Sequence, residues 1–259
     1  MQPALPPAAV PQPFRAPPGQ QATSPFSVFT NPVAATVPFG PPDTSQLGQQ
    51  GNTSGSQGSP CPPGAGRTWV VGDSIVFRAG LSPVGQSAGP LTWLGTRGAK
   101  ISALIPSIRS HLRRAPAPDT IIIHVGTNDL FSTPLKEIRR RMEESFHSIR
   151  NVLPDVRIIW SDILPRLFYY GESRRGVGKK SIRTLNKHAL RLCSQMAKAH
   201  SMSHTHNINP SDHSTFWRDG LHLSSKGNQR FCENLFSALA FFDANPCALL
   251  FPPLPNKTT

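Results

Sequence analysis

The sequence has no apolar run near the roughly twenty residues that a membrane-spanning helix needs. Its N-terminus also lacks the basic segment and continuous apolar stretch of a secretory signal. These absences predict an intracellular protein, cytoplasmic or nuclear, with no membrane span. Cysteine is scarce too: Cys61, Cys193, Cys232 and Cys247 show no CxxC spacing. That spacing argues against a zinc site and a disulfide framework, and it predicts ordinary free thiols.

Charge is almost absent from the first quarter of the chain. Residues 1–66 contain only Arg15 and Asp43 as charged residues and are rich in Pro, Gly, Gln, Ser and Thr. Such a segment buries too little apolar surface to offset its chain entropy, so we predict a disordered arm over residues 1–66. Its scattered phenylalanines could alternatively be contact points for a partner.

Acidic residues are few in the remainder. The formal net charge of +13 belongs to the part after Gly66, because the two charges of the arm cancel. A basic domain attracts polyanions, so nucleic acid is a candidate partner.

Apolar runs of two kinds alternate from residue 67 to residue 243. Short β-branched runs such as Thr120–Val125 predict buried strands, and the stripe from Leu135 to Leu153 repeats at helical spacing. Alternating strands and helices predict a three-layer α/β/α sandwich around a parallel sheet. We expect one domain over residues 67–243, followed by a C-terminal tail over residues 244–259.

Three loops follow predicted strands and carry small or polar residues. Gly72-Asp73-Ser74 ends the first strand, Gly98 precedes a helix, and Asn128 follows the third strand. Ser74 is the candidate nucleophile, since open α/β sheets place ligands at the carboxyl ends of their strands. Each group also has a plainer interpretation: a turn at Ser74, a loop glycine with positive φ at Gly98, and an Asx turn at Asn128.

Asp219 and His222 lie three positions apart in a turn before the last helix. The aspartate can accept a hydrogen bond from His Nδ1–H, which leaves Nε2 free as a base toward a serine hydroxyl. A serine needs such a base, because it is inert at its free pKa. Alternatively, the pair makes an ordinary surface hydrogen bond.

Four motifs in this order resemble the SGNH (GDSL-like) hydrolases. They are Gly72-Asp73-Ser74, Gly98, Gly126-Thr127-Asn128-Asp129 and Asp219-Gly220-Leu221-His222. The resemblance implies a flavodoxin-like sheet, a serine esterase or deacetylase acting on small acyl esters, and no metal or organic cofactor. The sequence differs from the usual family pattern at two places: the residues after Ser74 are bulky, and Arg97 precedes Gly98.

Matched position by position, the resemblance makes Ser74 the nucleophile, His222 the general base and acid, and Asp219 its orienting residue. It implies that the backbone N–H groups of Ser74 and Gly98 and the side-chain amide of Asn128 hold the oxyanion. The segments WVVGDSIV, SDILPR and DGLHLSSKGN are also similar to SGNH domains carried by vertebrate retrotransposons.

One helix carries a row of basic residues at every fourth position. The row, here called the basic row, consists of Lys179, Arg183, Lys187 and Arg191. It is either a solvated helix face or an anion-binding surface. The second interpretation supports the alternative function, a basic nucleic-acid-associated binding module that retains a hydrolase fold with little turnover.

Overall fold

The structure is a computed structural model that describes residues 67–87, 91–130, 132–168 and 172–252. The predicted N-terminal arm, residues 1–66, lies outside the described residues. Within these ranges, no helix is long and apolar enough to cross a membrane.

Six strands form one parallel sheet in the spatial order β2-β1-β3-β4-β5-β6. The strands are β1 (Thr68–Gly72), β2 (Leu91–Gly95), β3 (Thr120–His124), β4 (Arg157–Ser161), β5 (Ala199–Met202) and β6 (Leu250–Phe251). The strand order reverses at β1, and the gap between β1 and β3 is the point where doubly wound folds bind ligands.

Six α-helices connect and cover the strands within the described residues. They are α1 (Ser74–Leu81), α2 (Pro83–Ser87), α3 (Leu104–Leu112), α4 (Leu135–Val152), α5 (Glu172–Ser194) and α6 (Ser225–Ala244). A 3₁₀ turn at Ile101–Ala103 leads into α3, and a second at His213–Thr215 precedes the loop before α6.

The helices lie on both faces of the sheet because successive strand residues point to opposite sides. Trp69 and Val71 of β1 face a core built with α3, α4 and α5. Val70, between them, faces a second core built with α1 and α6. The predicted three-layer α/β/α fold is therefore confirmed.

Glycine at the end of β2 lets α1 pack closely on the sheet. A Cβ at Gly95 would lie 2.1 Å from the backbone nitrogen of Phe77. The contact fixes the first turn of α1 against the end of β2, so the segment that begins with Ser74 has a defined position.

The C-terminal boundary of the domain differs from the sequence-based prediction. Residues 244–252 are not a tail: Leu250 and Phe251 pair with Ser201 and Met202, so the sheet extends past the predicted end at Asp243.

Candidate active site

Three loops meet at one edge of the sheet because β1, β2 and β3 end next to one another. Gly72 at the end of β1 lies opposite Gly95 of β2 and His124 of β3. The residues that follow these three positions therefore emerge side by side, and they include Ser74, Gly98 and Asn128.

Ser74 is the first residue of α1, and Asp73 is its N-cap. The Asp73 carboxylate Oδ1 accepts a hydrogen bond from the Ile75 backbone N–H at 2.9 Å. This capping holds the abrupt strand-to-helix turn and places Ser74 at the helix N-terminus, where backbone N–H groups lack helical acceptors. The apolar residues Ile75, Val76 and Ala79, at helical spacing, could have predicted this helix.

The loop before α6 brings His222 to Ser74. Phe216 and Leu223 form an isolated antiparallel bridge, and the Trp217 N–H donates to the His222 carbonyl oxygen at 2.7 Å. His222 Nε2 lies 3.0 Å from Ser74 Oγ, although the two residues are 148 positions apart. The structure thus joins the predicted nucleophile and base directly.

Asp219 completes the hydrogen-bonded series. Its Oδ2 lies 2.6 Å from His222 Nδ1, and its Oδ1 accepts from the backbone N–H groups of Leu221 and His222, each at 2.9 Å. Partial burial on its own would raise the pKa of Asp219, but these hydrogen bonds outweigh it and lower the pKa below its usual value. The carboxylate is therefore ionised at neutral pH and accepts a hydrogen bond from Nδ1–H, which leaves Nε2 with a lone pair toward Ser74.

Asn128 and Gly98 lie in adjoining loops at the same edge. The Asn128 amide Nδ2 donates to the Ala99 carbonyl oxygen at 3.0 Å, which ties the β3 loop to the β2 loop. Gly98 has a φ of +71°, a conformation that favours glycine, and a Cβ there would meet no atom within 4 Å. The turn geometry alone accounts for the glycine, so both interpretations of Gly98 stand.

The loop after β4 makes two contacts that sequence reasoning did not identify. Arg166, in the loop after β4, donates from Nη2 to the Thr127 carbonyl oxygen at 2.9 Å. The next residue, Leu167, donates its N–H to the Gly220 carbonyl oxygen at 2.8 Å. This loop therefore connects the Asn128 loop to the His222 loop. Arg166 ends the segment SDILPR, but no periodicity in the sequence signals these contacts.

Burial raises the pKa of Asp73 to about 7, against the opposing effects of the Ile75 N–H hydrogen bond and the nearby Arg166 charge. Asp73 Oδ2 is buried and has no hydrogen-bond partner among the described residues. Burial consequently favours the neutral form of the carboxyl group next to Ser74.

Two buried histidines form a separate chain of hydrogen bonds under α6. Asn234 Nδ2 donates to His204 Nδ1 at 3.0 Å, and Ser161 Oγ lies between His204 Nε2 at 2.7 Å and His124 Nδ1 at 3.0 Å. Burial lowers the pKa of His124 to about 4 and that of His204 well below its usual value. Both rings are neutral at pH 7, and neither contacts the Ser74 site through these bonds.

The basic row lies elsewhere, on the exposed side of α5. The structure adds an acidic neighbour that the row's own helix does not supply: Arg191 Nη2 lies 3.4 Å from Glu143 Oε1 of α4. Lys179 and Arg183 line a cavity of about 290 Å³ beside Ile163 and Pro210. The row is therefore not uniform, and its first half is the part next to a cavity.

A hydroxyl, an imidazole and a carboxylate joined in this order, at the carboxyl edge of a parallel α/β sheet, are the groups that serine hydrolases use. The sequence profile of the GDSL-like Lipase/Acylhydrolase family matches residues 70–230 of the 259-residue chain. The chain belongs to this family and is a serine hydrolase that acts on ester bonds.

Solved structures share the fold. A Streptococcus pneumonia protein named for platelet activating factor is 24% identical, with a TM-score of 0.57 over 67% of this chain and 83% of that one. Est24, a carbohydrate acetylesterase from Sinorhizobium meliloti, is 18% identical, with a TM-score of 0.56 over 68% and 98%. A GDSL-like lipase from Bacteroides thetaiotaomicron is 15% identical, with a TM-score of 0.53 over 68% and 88%. No curated protein matches the chain significantly.

Proposed function

We propose that the chain is an esterase that removes small acyl groups, of acetyl type, through a covalent acyl-enzyme. The observation that carries the proposal is the continuous contact from Ser74 Oγ to His222 Nε2 and from His222 Nδ1 to Asp219 Oδ2, at 3.0 and 2.6 Å. A carbohydrate acetylesterase and an acetyl esterase among the structures with this fold support the acetyl preference.

In the first half of the reaction, Ser74 Oγ forms a bond to the ester carbonyl carbon while His222 Nε2 takes its proton. The carbonyl π electrons move to oxygen, and their return breaks the bond to the alcohol, which leaves with the proton from His222. A water then repeats the sequence on the acyl-enzyme and releases the carboxylic acid. Asp219 stays ionised and stabilises the imidazolium in both halves.

The proposed oxyanion donors are the Ser74 and Gly98 N–H groups and the Asn128 side chain. A primary amide has two donor hydrogens, and the bond to Ala99 uses one of those on Asn128. The second is available to an oxyanion. Asn128→Ala should therefore lower kcat by about a hundredfold with little change in KM. An unchanged kcat with a raised KM would make Asn128 a binding residue instead.

The decisive experiment compares wild type with Ser74→Ala on p-nitrophenyl acetate. Loss of a nucleophile costs several orders of magnitude in rate, so we expect the variant to have only background activity with unchanged circular dichroism. A fluorophosphonate adduct should map to Ser74. Ser110→Ala, on α3, is the matched control and should remain active. Equal hydrolysis by wild type and Ser74→Ala would show that Ser74 is not the nucleophile.

A second proposed role is nucleic-acid association by a domain of retrotransposon origin. Its support is the sequence resemblance, the net charge of +13, and the position of Lys179 and Arg183, which form no ion pair with the described residues. An intracellular location belongs to this proposal and is supported by the free thiols of Cys193, Cys232 and Cys247.

Counterion release provides the test of this second role. Fluorescence anisotropy with labelled oligonucleotides should give a log K that falls linearly with log salt, by about 0.7 to 0.9 per phosphate contact. Lys179→Glu with Arg183→Glu should weaken binding and flatten the slope. Arg191→Gln should change binding less, because Glu143 already faces that guanidinium. No binding at low salt would show that the basic row is only a solvated helix face.

A further inference from the structure

A groove of about 670 Å³ runs between α1 and the start of α6. Its size is that of a pocket for a small organic ligand. The lining residues used below are Phe77, Arg78, Arg97, Trp217, Leu223 and Lys226. No Asp or Glu is present in this lining, which consists of described residues only.

The groove adjoins Ser74 through two of the segments that build the candidate active site. Phe77 and Arg78 are three and four positions after Ser74 on α1, so they lie on the same helix face, one turn away. Trp217 and Leu223 flank the loop that holds His222, and the Trp217 N–H donates to the His222 carbonyl oxygen. A molecule that fills the groove is therefore next to the proposed nucleophile.

Two of the three cations in the groove have no anionic partner in the described part of the chain. Arg78 and Arg97 are exposed, and neither forms an ion pair with any described residue. The Arg97 guanidinium lies 4.7 Å from the centroid of the Phe77 ring, which orients it across the groove. Lys226 is different, because its Nζ already contacts Asp212 Oδ2 at 3.3 Å and Ser214 Oγ at 2.8 Å.

The chemistry of these side chains indicates a particular ligand. Guanidinium groups match phosphate oxygens in geometry and keep their charge at all physiological pH values. The Trp217 side chain, 54% exposed, offers a flat apolar surface beside them. An exposed tryptophan and two arginines with no ion pair to a described residue, in a groove whose described lining has no acidic side chain, suit a ligand with a planar or ring body and a dianionic group.

We propose that this groove binds the alcohol portion of the substrate and selects acyl esters whose alcohol carries a phosphate group. Arg78 and Arg97 bind the phosphate, and Trp217 packs against the body of the alcohol. The inference rests on the proposed esterase function and specifies its substrate class. It also accounts for Arg97 and, of the residues after Ser74 that differ from the usual family pattern, for Phe77 and Arg78.

The test uses two acetate esters that differ in charge, 4-acetoxyphenyl phosphate and 4-methoxyphenyl acetate. Each kcat/KM is first divided by the uncatalysed rate constant of the same ester. The corrected kcat/KM of wild type should be at least tenfold higher for the phosphorylated ester than for the neutral ester, and this quotient is the selectivity ratio. Arg78→Gln and Arg97→Gln should each lower this ratio about threefold or more, and the double variant should bring it near one. Arg114→Gln, an exposed arginine beyond the end of α3, controls for the loss of one charge and should keep the wild-type ratio.

Two measurements on wild type need no variant. Added salt should raise KM for the phosphorylated ester and leave KM for the neutral ester nearly constant, because exposed charges are screened. Phenyl phosphate should inhibit hydrolysis of the neutral ester competitively. Inhibition by an oligonucleotide but not by phenyl phosphate would overturn the proposal in favour of a polynucleotide site.

Failure of this inference is distinguishable from failure of the esterase function. If both esters are hydrolysed through Ser74 but the ratio is near one, the groove does not select phosphate. The same conclusion follows if Arg78→Gln and Arg97→Gln leave the ratio unchanged. If neither ester is hydrolysed, or Ser74→Ala equals wild type, the esterase proposal fails and this inference fails with it.

Discussion

Among single residues, Asp73 has the most unfavourable environment near Ser74. Its carboxylate caps α1 through one oxygen, while the other is buried without a partner among the described residues. The cap requires only an oxygen acceptor, which a neutral carboxyl group or an amide also provides. The charge of Asp73 is therefore a cost to folding that the geometry of the turn does not need.

We expect this cost to appear as a dependence of stability on pH. The pKa of Asp73 is raised from 3.8 to about 7 in the folded state, so the folded state binds its proton more tightly than the unfolded state. Stability should fall as pH rises from about 4 to about 7, by on the order of 4 kcal/mol at most. Asp73→Asn removes this titration and should be stabilised relative to wild type at pH 8 but much less at pH 4.

Urea unfolding at both pH values measures the effect. Asp155→Asn, at an exposed position, controls for the loss of one negative charge. A difference between Asp73→Asn and wild type that is the same at pH 4 and pH 8 would show that Asp73 keeps an ordinary pKa in the folded protein.

The sequence was sufficient to predict that Ser74, His222 and Asp219 would lie together, because each lies in a short motif at a strand or helix end. The structure brings Ser74, His222 and Asp219 into contact as predicted from those motifs. The sequence was insufficient to predict the role of Arg166, because its contact with Thr127 spans 39 positions and leaves no periodic signal. The sequence alone does not distinguish a buried arginine from an exposed one, because burial depends on neighbours that are distant along the chain.

Among the helices and strands, α6 determines the position of His222. Ser224 is the N-cap of α6: its Oγ accepts from the Gly227 N–H at 3.1 Å and donates to the Ser214 carbonyl oxygen at 2.6 Å. The cap begins two residues after His222. The hydrogen bonds that start the helix thus also close the loop that presents the imidazole.

Ser224→Ala should reduce the free energy of unfolding by about 1 kcal/mol, the usual value of an N-cap, and should also lower kcat/KM by loosening the loop. Ser225→Ala, one residue further and exposed, is the matched control and should change stability far less. Thermal melts and ester hydrolysis on the same samples provide both readouts. A stable Ser224→Ala variant with full activity would show that the helix start does not hold His222.

Secondary structure was predicted well where apolar periodicity was long and poorly where elements were short. The stripe from Leu135 to Leu153 predicted α4, whose buried residues include Ile138, Met142 and Phe146. Helix α1 was missed because its eight residues include a glycine and directly follow a turn motif. Strand β6 was missed because two residues carry no periodic pattern.

For the whole described domain, the short sixth strand extends the sheet beyond Asp243. The Ser201 N–H donates to the Leu249 carbonyl oxygen at 2.8 Å, and the Ser203 N–H donates to that of Phe251 at 2.7 Å. His200 Nδ1 lies 2.6 Å from the Ala248 carbonyl oxygen, and the Phe251 ring packs near Phe241 and Phe242. Residues 244–252 are therefore part of the domain.

Deleting residues 244–259 should lower the free energy of unfolding by roughly 3 kcal/mol or more, from three lost hydrogen bonds and the lost burial of an aromatic side chain. Deleting only residues 253–259 is the control and should have little effect. Urea titration of both shortened chains tests this expectation. Equal stability of the two would show that β6 contributes nothing to the domain.

The exposure of Trp217 has an optical consequence. Of the four tryptophans, Trp69 and Trp160 are buried, and the half-buried Trp93 donates its indole N–H to Gly85. Acrylamide in solution should therefore quench mainly the emission of Trp217. A compound that occupies the groove would shield this indole and restore its fluorescence, so the unlabelled protein should report occupancy directly, even with Ser74 replaced and no turnover.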